Sequence, residues 1–456
     1  MSSNRKLLLT ALAILLALSF WQGEARASDY DLSGYQNAGI YVIEQNTDTV
    51  LLENNADERF YPGSITKILT AMTALDITDD LNEKVTVTSE MLSLVKPNSS
   101  RIHLSVGEII TYGDLMRGSL IRSGNDAAIA IGVFCGCRLT GSSDTLVGYK
   151  AFIEKMNEKS SSLGLTGSHW ANTDGYDDEE NYSTPRDIVA LGIAAQNYPF
   201  ITETVMTLSY TAVTSAAARE FMSTNILKYT ELPDMLGGGP NPYYRASVTG
   251  MKTGNTVMGQ KCLLLSAENG NMRITAAILN IPDKTNEIWP LAAGIIDYSF
   301  DGHRVIDLID ESNRKASYKI SNPSILQKGN LDVQTDDSIT LCLDIDAAKG
   351  YICVTALNQE KILDVYNGAL KLACDIKKGD VIGKMEFLYD GAVIAETEMR
   401  ALTDYDVFSN RDIMIAGMLV CAVIIPIALG VSIISVKKKR IRARKRKNAA
   451  KSTERA

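Results

Sequence analysis

Alternating hydrophobic and polar residues predict strands in two distant stretches of the chain. The segment AGIYVIEQNTDTVLLENNADERF (38–60) has two β-rich runs on either side of the turn-prone EQNTD, which is typical of a β-hairpin. The segment KCLLLSAENGNMRITAAILNI (261–281) repeats this design around ENGN. Each stretch is therefore predicted to form a β-hairpin.

Between these hairpins the apolar residues recur at helical spacing. SITKILTAMTALDI (64–77) follows the break made by Pro62 and Gly63, and most of residues 108–165 has the same periodicity. The order is a strand pair, a helical block and a strand block. This order predicts an α+β domain in which a helical lobe lies beside an antiparallel sheet built from both ends of the domain.

The pattern changes from about residue 317. Short β-rich runs such as SYKISN, SITLCLDID and GYICVTAL alternate with turns that contain glycine and lysine. Such runs are typical of a small all-β domain. We therefore expect a first domain of residues 28–312 and a β-rich domain of residues 317–405.

The N-terminus has the three parts of a secretory signal peptide. Arg5 and Lys6 precede the apolar run LLLTALAILLALSF (7–20), and ARA (25–27) supplies small residues for cleavage after Ala27. An uncleaved anchor is the alternative, but the run is short for a bilayer span. Residues 1–27 are therefore predicted to be removed after export.

A second apolar run, residues 413–436, is 24 residues long, carries no charge and is long enough to cross a bilayer. The tail that follows, residues 437–456, has a net charge of +10, whereas the whole chain has −8. Positive charge beside a span marks the cytoplasmic side and favours contact with anionic lipid over nucleic acid. The chain is thus predicted to be a single-pass protein of the cell membrane, with its first domain outside.

Metal and cofactor chemistry have little support in the sequence. None of the three histidines pairs with any of the seven cysteines at metal-ligand spacing. GGGPNP (237–242) lacks the order of a phosphate-binding loop. DGYDDEEN (174–181) lacks the spacing of an EF-hand and is predicted to be a solvated loop. We therefore predict no cofactor and no metal.

Ser64 and Lys67 are the first candidates for chemistry, because residues three apart lie on one face of a helix. A serine attacks well only when a neighbour takes its proton. A lysine can do so only when it is neutral, which needs burial or a second cation nearby. By itself the S-x-x-K spacing is more often structural than functional.

Two later motifs change this interpretation. IRSGNDAA contains Ser123 and Asn125, and VTGMKTGNT contains Lys252, Thr253 and Gly254. S-x-x-K, S-x-N and K-T-G in this order resemble the serine penicillin-recognising enzymes, which include penicillin-binding proteins and β-lactamases.

Longer stretches narrow the resemblance. ERFYPGSITKILTAMTAL, HWANTDGYDDEENYSTPRDIVALG and SVTGMKTGNT look like D-alanyl-D-alanine carboxypeptidases, and IKKGDVIGKMEFLYDGAVIAETEMRA is similar to their β-domain. The resemblance covers roughly residues 35–405. It implies a β-lactamase/transpeptidase-like catalytic domain that acts on peptidoglycan stem peptides ending in D-Ala-D-Ala and is inhibited covalently by β-lactams.

The resemblance also implies a role for each motif residue. Ser64 would be the nucleophile, and Lys67 its general base, held neutral partly by Lys252. Ser123 would relay a proton to the leaving D-alanine, and Asn125 would bind the substrate amide. Lys252, Thr253 and Gly254 would form the binding wall, with the first two attracting the terminal carboxylate.

The sequence departs from the family pattern at three places. Asn255 follows K-T-G where relatives commonly have histidine or threonine, and Asn181 stands where histidine is frequent. NIPDKTNE lacks an arginine that some relatives use for the substrate carboxylate, for which Lys284 is a candidate substitute. Substrate preference and the rate of deacylation are the properties these changes affect.

Two other functions share the same nucleophile. A class A β-lactamase needs a glutamate that activates the deacylating water, and no E-x-x-L-N lies between Ser123 and Lys252. A membrane-anchored penicillin-binding sensor would be acylated with little turnover, but the 20-residue tail contains no effector domain. The sequence therefore favours the carboxypeptidase.

Overall fold

The structure, a computed structural model, describes residues 30–453 apart from 235–236, 284–285 and 328. The predicted signal peptide and Lys284 lie outside the described residues. The chain divides into two compact units. The first contains residues up to Ile306 together with Thr340–Lys349, and the second contains Asp307–Ile339 and the residues from Gly350 onward.

The first unit is built on a five-stranded antiparallel sheet. The strands of this part of the chain, in order, are β1 (Gly39–Glu44), β2 (Thr49–Asn54), β3 (Lys84–Thr86), β4 (Ile109–Thr111), β5 (Ser209–Val213), β6 (Ala218–Met222), β7 (Val248–Thr256), β8 (Gln260–Asn269), β9 (Met272–Ile281) and β10 (His303–Ile309), and the last of them crosses the boundary between the two units. The large sheet has the order β2-β1-β9-β8-β7, while β3 pairs with β4 and β5 with β6. Because β1 pairs with β9, the N-terminal hairpin and the late hairpin share one sheet. Both predicted hairpins and their common sheet are confirmed.

Eight helices between Thr66 and Gly302 belong to the same unit. They are α1 (Thr66–Ile77), α2 (Ser89–Ser93), α3 (Tyr112–Ile121), α4 (Asn125–Thr140), α5 (Thr145–Ser162), α6 (Pro185–Ala195), α7 (Pro199–Met206) and α8 (Ile288–Gly302). Side chains cap several of them: Thr111 accepts from Asp114 N, Asp144 accepts from Leu146 N and Val147 N, and Thr184 accepts from Asp187 N. Short 3₁₀ turns occur at Ser33–Tyr35, Gly63–Ile65 and Ile226–Lys228.

The sheet lies between two hydrophobic layers. On one face the helical lobe packs around Ile68, Met72 and Leu264. On the other face α8 packs with Ile295 against Ile40 and other strand residues. All six residues of β1 are buried, as expected for a strand that is covered on both faces. The predicted α+β arrangement of a helical lobe on an antiparallel sheet is confirmed, with α8 as a further layer.

The second unit is β-rich. Its strands are β11 (Lys315–Ile320), β12 (Asn330–Thr335), β14 (Ile352–Leu357), β15 (Ile362–Tyr366), β16 (Ala369–Leu372), β17 (Val381–Tyr389) and β18 (Ala392–Ala401). They form one seven-stranded sheet in the order β14-β17-β18-β12-β11-β16-β15. Strand β13 (Ile339–Asp344) and helix α9 (Ile345–Gly350) make up most of the segment that groups with the first unit. The sequence pattern did not predict that a segment from within the β-rich region groups with the first unit.

The C-terminal helix α10 (Asn410–Thr453) follows the β-rich sheet. Residues Asn410–Arg444 contain an apolar stretch with a mean hydropathy of 2.7, and none of that stretch is buried. A helix of this length and composition can cross a bilayer. The apolar helix predicted at residues 413–436 is therefore present and fits a membrane anchor.

Candidate active site

Ser64 lies on a tight turn at the start of a helix. The 3₁₀ turn Gly63–Ile65 runs directly into α1, and the Thr66 N–H donates to the carbonyl oxygens of Gly63 and Ser64. Gly63 has a φ of +55°, a conformation that costs glycine little and other residues more. The turn predicted from Pro62 and Gly63 thus presents Ser64 at the start of the helix.

Two glycines let other segments approach this turn closely. A Cβ on Gly175 would lie 1.9 Å from the carbonyl oxygen of Gly63 and 2.9 Å from Ser64 N. A Cβ on Gly254 would lie 2.7 Å from the carbonyl oxygen of Pro62. The glycine of K-T-G therefore has a steric reason, since it lets β7 pack against the backbone that carries Ser64. The equivalent need at Gly175 was not predicted from the sequence.

Lys67 is buried and touches three oxygen atoms. Its Nζ lies 2.7 Å from Ser64 Oγ, 2.8 Å from Asn125 Oδ1 and 2.5 Å from the main-chain oxygen of Asp174. Its side chain comes from the first turn of α1, one turn after Ser64, as the spacing predicts. Because Asn125 and Asp174 hold two of the amine's hydrogens, the third position on nitrogen points to the serine hydroxyl.

Burial changes the proton affinity of this amine. It lowers the pKa of Lys67 to about 8, although the negative charges of Asp174 and Asp126 act in the opposite direction. Burial also lowers the pKa of Lys252, and the nearby charge of Lys67 lowers it further. The resemblance implied that Lys252 helps to keep Lys67 neutral. In the structure burial is the main cause of the lowered pKa of Lys67. Repulsion between the two lysines lowers the pKa of Lys252 instead.

Ser123 and Lys252 form a second hydrogen-bonded pair. Lys252 Nζ donates to Ser123 Oγ at 2.9 Å and to the main-chain oxygen of Thr253 at 2.9 Å. Ser123 lies between α3 and α4 with a φ of +63°, an uncommon conformation for a residue with a side chain. Such conformations cost about 1–3 kcal/mol and persist where the surroundings enforce them. The loop places a hydroxyl in contact with the K-T-G lysine.

The remaining motif residues lie around the same point. Asn125 begins α4, is 5% exposed and receives the Lys67 hydrogen bond already described. The hydroxyls of Thr253 and Thr224 are 2.5 Å apart. The structure thus brings Ser64, Lys67, Ser123, Asn125, Lys252, Thr253 and Gly254 together. Thr224 is a neighbour that carried no motif signal in the sequence.

Ser64 lies between two cavities. Ser64 lines both of them, and their volumes are about 680 Å³ and about 380 Å³. The larger cavity is also lined by Asn98, Asn125, Tyr176, Asp177, Asn255 and Asp283. The smaller is also lined by Ser123, Thr224, Thr253, Lys261 and Trp289. A substrate can therefore extend to both sides of the nucleophile.

The positions that depart from the family pattern have different environments. Asn255 borders both cavities, and its side-chain amide donates to Asp283 at 3.3 Å. Asn181 is 2% exposed and is hydrogen bonded to Thr66 and to the main chain of Ala171. Asn255 is thus placed to meet substrate, whereas Asn181 holds the loop against α1.

The prediction of a solvated loop at residues 174–181 is wrong at both ends, because Asp174 and Asn181 are buried. Asp174 is 3% exposed, whereas Asp178, Glu179 and Glu180 are exposed. Its main-chain oxygen contacts Lys67, which explains why the start of this acidic stretch is drawn into the protein. Within the described residues no cluster of three or more histidine, cysteine, aspartate or glutamate side chains is arranged to hold a metal ion.

Comparison with known families identifies the class of this site. The D-alanyl-D-alanine carboxypeptidase model matches residues 34–283, which is more than half of the chain. The chain belongs to the D-alanyl-D-alanine carboxypeptidase family and is a serine peptidase.

Individual relatives agree with this assignment. The chain is 25% identical over 412 residues to the D-alanyl-D-alanine carboxypeptidase DacF of Bacillus subtilis, covering 88% of this chain and 94% of that protein. It is 31% identical over 267 residues to the D-alanyl-D-alanine carboxypeptidase of a Streptomyces species, strain K15, covering 58% of this chain and 86% of that protein.

Solved structures give the same fold. The crystal structure of the Streptomyces K15 DD-transpeptidase matches with a TM-score of 0.50 and 30% identity, over 58% of this chain and 96% of that one. Penicillin binding protein 5 from Haemophilus influenzae matches in fold with a TM-score of 0.55 at 21% identity, over 81% of this chain and 97% of that one.

Proposed function

We propose that this protein removes the terminal D-alanine from peptidoglycan stem peptides through an acyl-enzyme on Ser64. The family assignment supports the reaction, and one observation supports the assignment of the nucleophile. Ser64 Oγ lies 2.7 Å from the amine of a buried lysine, whose pKa is lowered to about 8. A serine needs such a proton acceptor to become a nucleophile.

In the acylation step Ser64 Oγ attacks the carbonyl carbon of the penultimate D-alanine while Lys67 takes the hydroxyl proton. The negative charge that develops on the carbonyl oxygen needs N–H donors, and the backbone N–H of Ser64 is one candidate. Each such donor typically contributes about 3 kcal/mol to stabilising the transition state. The peptide C–N bond then breaks, and the nitrogen of the leaving D-alanine must gain a proton.

Ser123 is our candidate for relaying that proton: its hydroxyl proton passes to the leaving nitrogen, and the proton that Lys67 took from Ser64 replaces it, which returns Lys67 to its neutral form. Its hydroxyl lies 2.9 Å from Lys252 Nζ and borders the smaller cavity with Thr253. This cavity suits the leaving D-alanine, since Lys261 supplies positive charge for its carboxylate and Thr253 supplies a hydroxyl. Lys252 lies behind this wall and is hydrogen bonded to Ser123. Gly254 gives the strand room beside Ser64.

The larger cavity then takes the acyl part of the stem peptide. Asn125 borders it and is the candidate for binding the substrate amide, because its side chain is already oriented by Lys67. Water completes the cycle by attacking the ester carbonyl, which releases the shortened peptide and restores the Ser64 hydroxyl. A β-lactam would acylate Ser64 in the same way, since its strained amide takes the place of the peptide bond.

The family assignment favours the carboxypeptidase over the β-lactamase and the sensor. The three functions separate in one assay on the full-length protein in detergent. With a peptide ending in Lys-D-Ala-D-Ala, free D-alanine should appear, and Ser64→Ala should abolish both this release and covalent labelling by penicillin. Labelling without release would support the sensor, and fast penicillin hydrolysis would support the β-lactamase.

We also propose the arrangement of the chain at the membrane. After removal of residues 1–27, the catalytic domain (28–312) and the β-rich domain (317–405) lie outside the cell, with residues 413–436 in the bilayer. The basic residues 437–456 lie in the cytoplasm, as expected for positive charge next to a span. The exposed apolar surface of α10 supports the anchor.

A further inference from the structure

Asp174 is a buried carboxyl group beside the proposed base. Its main-chain oxygen is 2.5 Å from Lys67 Nζ, so the residue lies directly against the amine that faces Ser64. Asp174 is only 3% exposed, and its Oδ2 has no hydrogen-bond partner within the described part of the chain. An unpaired carboxyl oxygen at this depth is costly unless a nearby positive charge compensates it.

The surrounding groups show which charge that is. Lys67 acts on Asp174 most strongly among the charged groups, and Lys96 acts on it more weakly. Burial raises the pKa of Asp174, while Lys67 and main-chain N–H groups oppose this rise. Tyr149 on α5 also faces Asp174, and burial, reinforced by the carboxylate charge, raises the pKa of its phenol to about 12. Tyr149 therefore stays neutral at physiological pH.

Two other charged groups face Lys67 but have partners of their own. Asp126 on α4 accepts hydrogen bonds from the main-chain nitrogens of Ile102, Leu104 and Ala127, so its carboxylate is already satisfied. Lys252 on β7 donates to Ser123 and Thr253. Asp174, in contrast, has a buried carboxyl oxygen, Oδ2, without a hydrogen-bond partner in the described part of the chain. This oxygen can interact with the positive charge that appears on Lys67 during the reaction.

We propose that Asp174 is a positioning residue that stabilises the ammonium formed on Lys67 when Lys67 takes the proton of Ser64. Its main-chain oxygen fixes the direction of the amine, and its carboxylate supplies the opposite charge. The proton stays on Lys67 nitrogen in this step, and the ammonium charge in turn favours the ionised form of Asp174. This inference rests on the proposed role of Ser64 and Lys67.

The test measures the rate of acylation by a fluorescent penicillin against pH, using the full-length protein in detergent. Acylation requires neutral Lys67, so the wild-type rate rises with pH through the lysine pKa. Asp174→Asn removes a negative charge that raises this pKa. The rising part of the plot of acylation rate against pH, its rising limb, should therefore move to lower pH by about one unit. This is the size expected for an opposite charge in contact.

Asp187→Asn is the matched control. Asp187 is also buried and accepts hydrogen bonds from Gly167 N and Ser168 Oγ, but it does not contact Lys67. The control should lose stability without moving the limb. If Asp174→Asn does not fold, Asp174→Ser provides the same measurement, since its hydroxyl can accept a hydrogen bond from the same main-chain N–H groups.

A limb that stays in place or moves to higher pH in the Asp174 variant overturns the inference, including the case in which the rate falls equally at every pH. A failure of the proposed function looks different. In that case wild-type protein would not be labelled on Ser64, and the inference about Asp174 would be overturned together with the proposed function.

Discussion

Lys67 touches oxygen atoms of Ser64, Asn125 and Asp174 at the same time. An ammonium group has three hydrogens and would satisfy all three oxygens, whereas a neutral amine has two hydrogens and a lone pair. Since Asn125 Oδ1 and the Asp174 main-chain oxygen can only accept, the lone pair of the neutral form points to Ser64. The positions of these three oxygens therefore suit both the protonated and the neutral form of Lys67.

A first prediction follows from the proton that Lys67 must lose. Burial lowers its pKa to about 8, so penicillin acylation should increase as pH rises through about 8 and then level off. Lys67→Arg keeps the positive charge but cannot supply a neutral base, because the guanidinium stays protonated. We expect this variant to acylate at least about 100-fold more slowly at every pH. Stopped-flow labelling would check this, and acylation by the arginine variant at the wild-type rate would contradict it.

A second prediction concerns the glycine that packs against the nucleophile turn. Alanine at Gly175 would place Cβ 1.9 Å from the Gly63 carbonyl oxygen, at a φ of +73°. We expect Gly175→Ala to lower the free energy of unfolding by more than about 2 kcal/mol and to remove most penicillin labelling. Gly164→Ala is matched, since Gly164 has a φ of +75° but open space around it.

The control Gly164→Ala should lower the free energy of unfolding by only about 1 kcal/mol and should keep the wild-type labelling rate. Thermal unfolding and labelling of both variants give the comparison. Equal effects of the two substitutions would show that close packing against the Ser64 turn is unimportant.

At the element scale, the hairpin of β5 and β6 is joined to the segment before β4 by a buried ion pair. Arg219 donates to both carboxylate oxygens of Glu108, at 2.9 and 2.6 Å, and the Glu108 side chain is fully buried. Thr214 from the same hairpin adds a hydrogen bond to Glu108. This bidentate contact is the strong kind of charge-assisted hydrogen bond. It fixes the hairpin against the helical lobe.

A third prediction tests that contact. Burial tends to raise the pKa of Glu108, but hydrogen bonds from Arg219, Thr214 and Ser105 outweigh it and leave the pKa below its ordinary value. The ionised form therefore stabilises the fold above the unfolded-state pKa, and this contribution is lost as pH falls through the folded-state pKa. Glu108→Gln should lower the free energy of unfolding by about 2 kcal/mol at pH 7, and this loss should become smaller below about pH 4.

Denaturant unfolding at the two pH values measures the effect. Glu158→Gln is the control, because Glu158 pairs with Lys155 on the surface and such pairs contribute less than about 1 kcal/mol. A Glu108→Gln cost that is independent of pH would contradict the role given to the ionised carboxylate.

At the scale of the whole molecule, the C-terminal helix separates an acidic chain from a basic tail. The apolar stretch within Asn410–Arg444 is fully exposed, and a soluble chain rarely carries an apolar surface of that size. Hydrogen bonds hold the first turn of the helix in place: the Asp412 carboxylate accepts hydrogen bonds from the main-chain nitrogens of Ser409 and Ile325. Residues up to Asp412 therefore belong to the β-rich unit.

A fourth prediction follows for a chain that stops after Asp412. It should be released from membranes without detergent and should keep its rate of penicillin labelling, because Ser64 and its partners lie in the first unit. The control lacks only residues 437–456 and should remain in the membrane fraction. Sedimentation followed by labelling of each fraction gives the result. Sedimentation of the shorter chain with membranes would contradict the anchor.

Much of the fold and the site was predictable from the sequence. The two hairpins were visible as alternating patterns, and the three motifs named the residues that the structure brings together. Burial was not predictable in the same way. Asp174 begins an acidic run that looks solvated, and only the packing of its loop against α1 shows that it is buried beside Lys67. The same packing explains Gly175, whose neighbours are more than 100 positions earlier in the chain.

The central claim is that Ser64 carries the acyl group during removal of D-alanine. Peptide mapping by mass spectrometry after rapid quenching of the full-length protein with a D-Ala-D-Ala peptide, and separately with penicillin, tests it directly. We predict that both adducts lie on the peptide containing Ser64 and that Ser64→Ala carries neither. An adduct on another residue, or D-alanine release that survives in Ser64→Ala, would contradict the account.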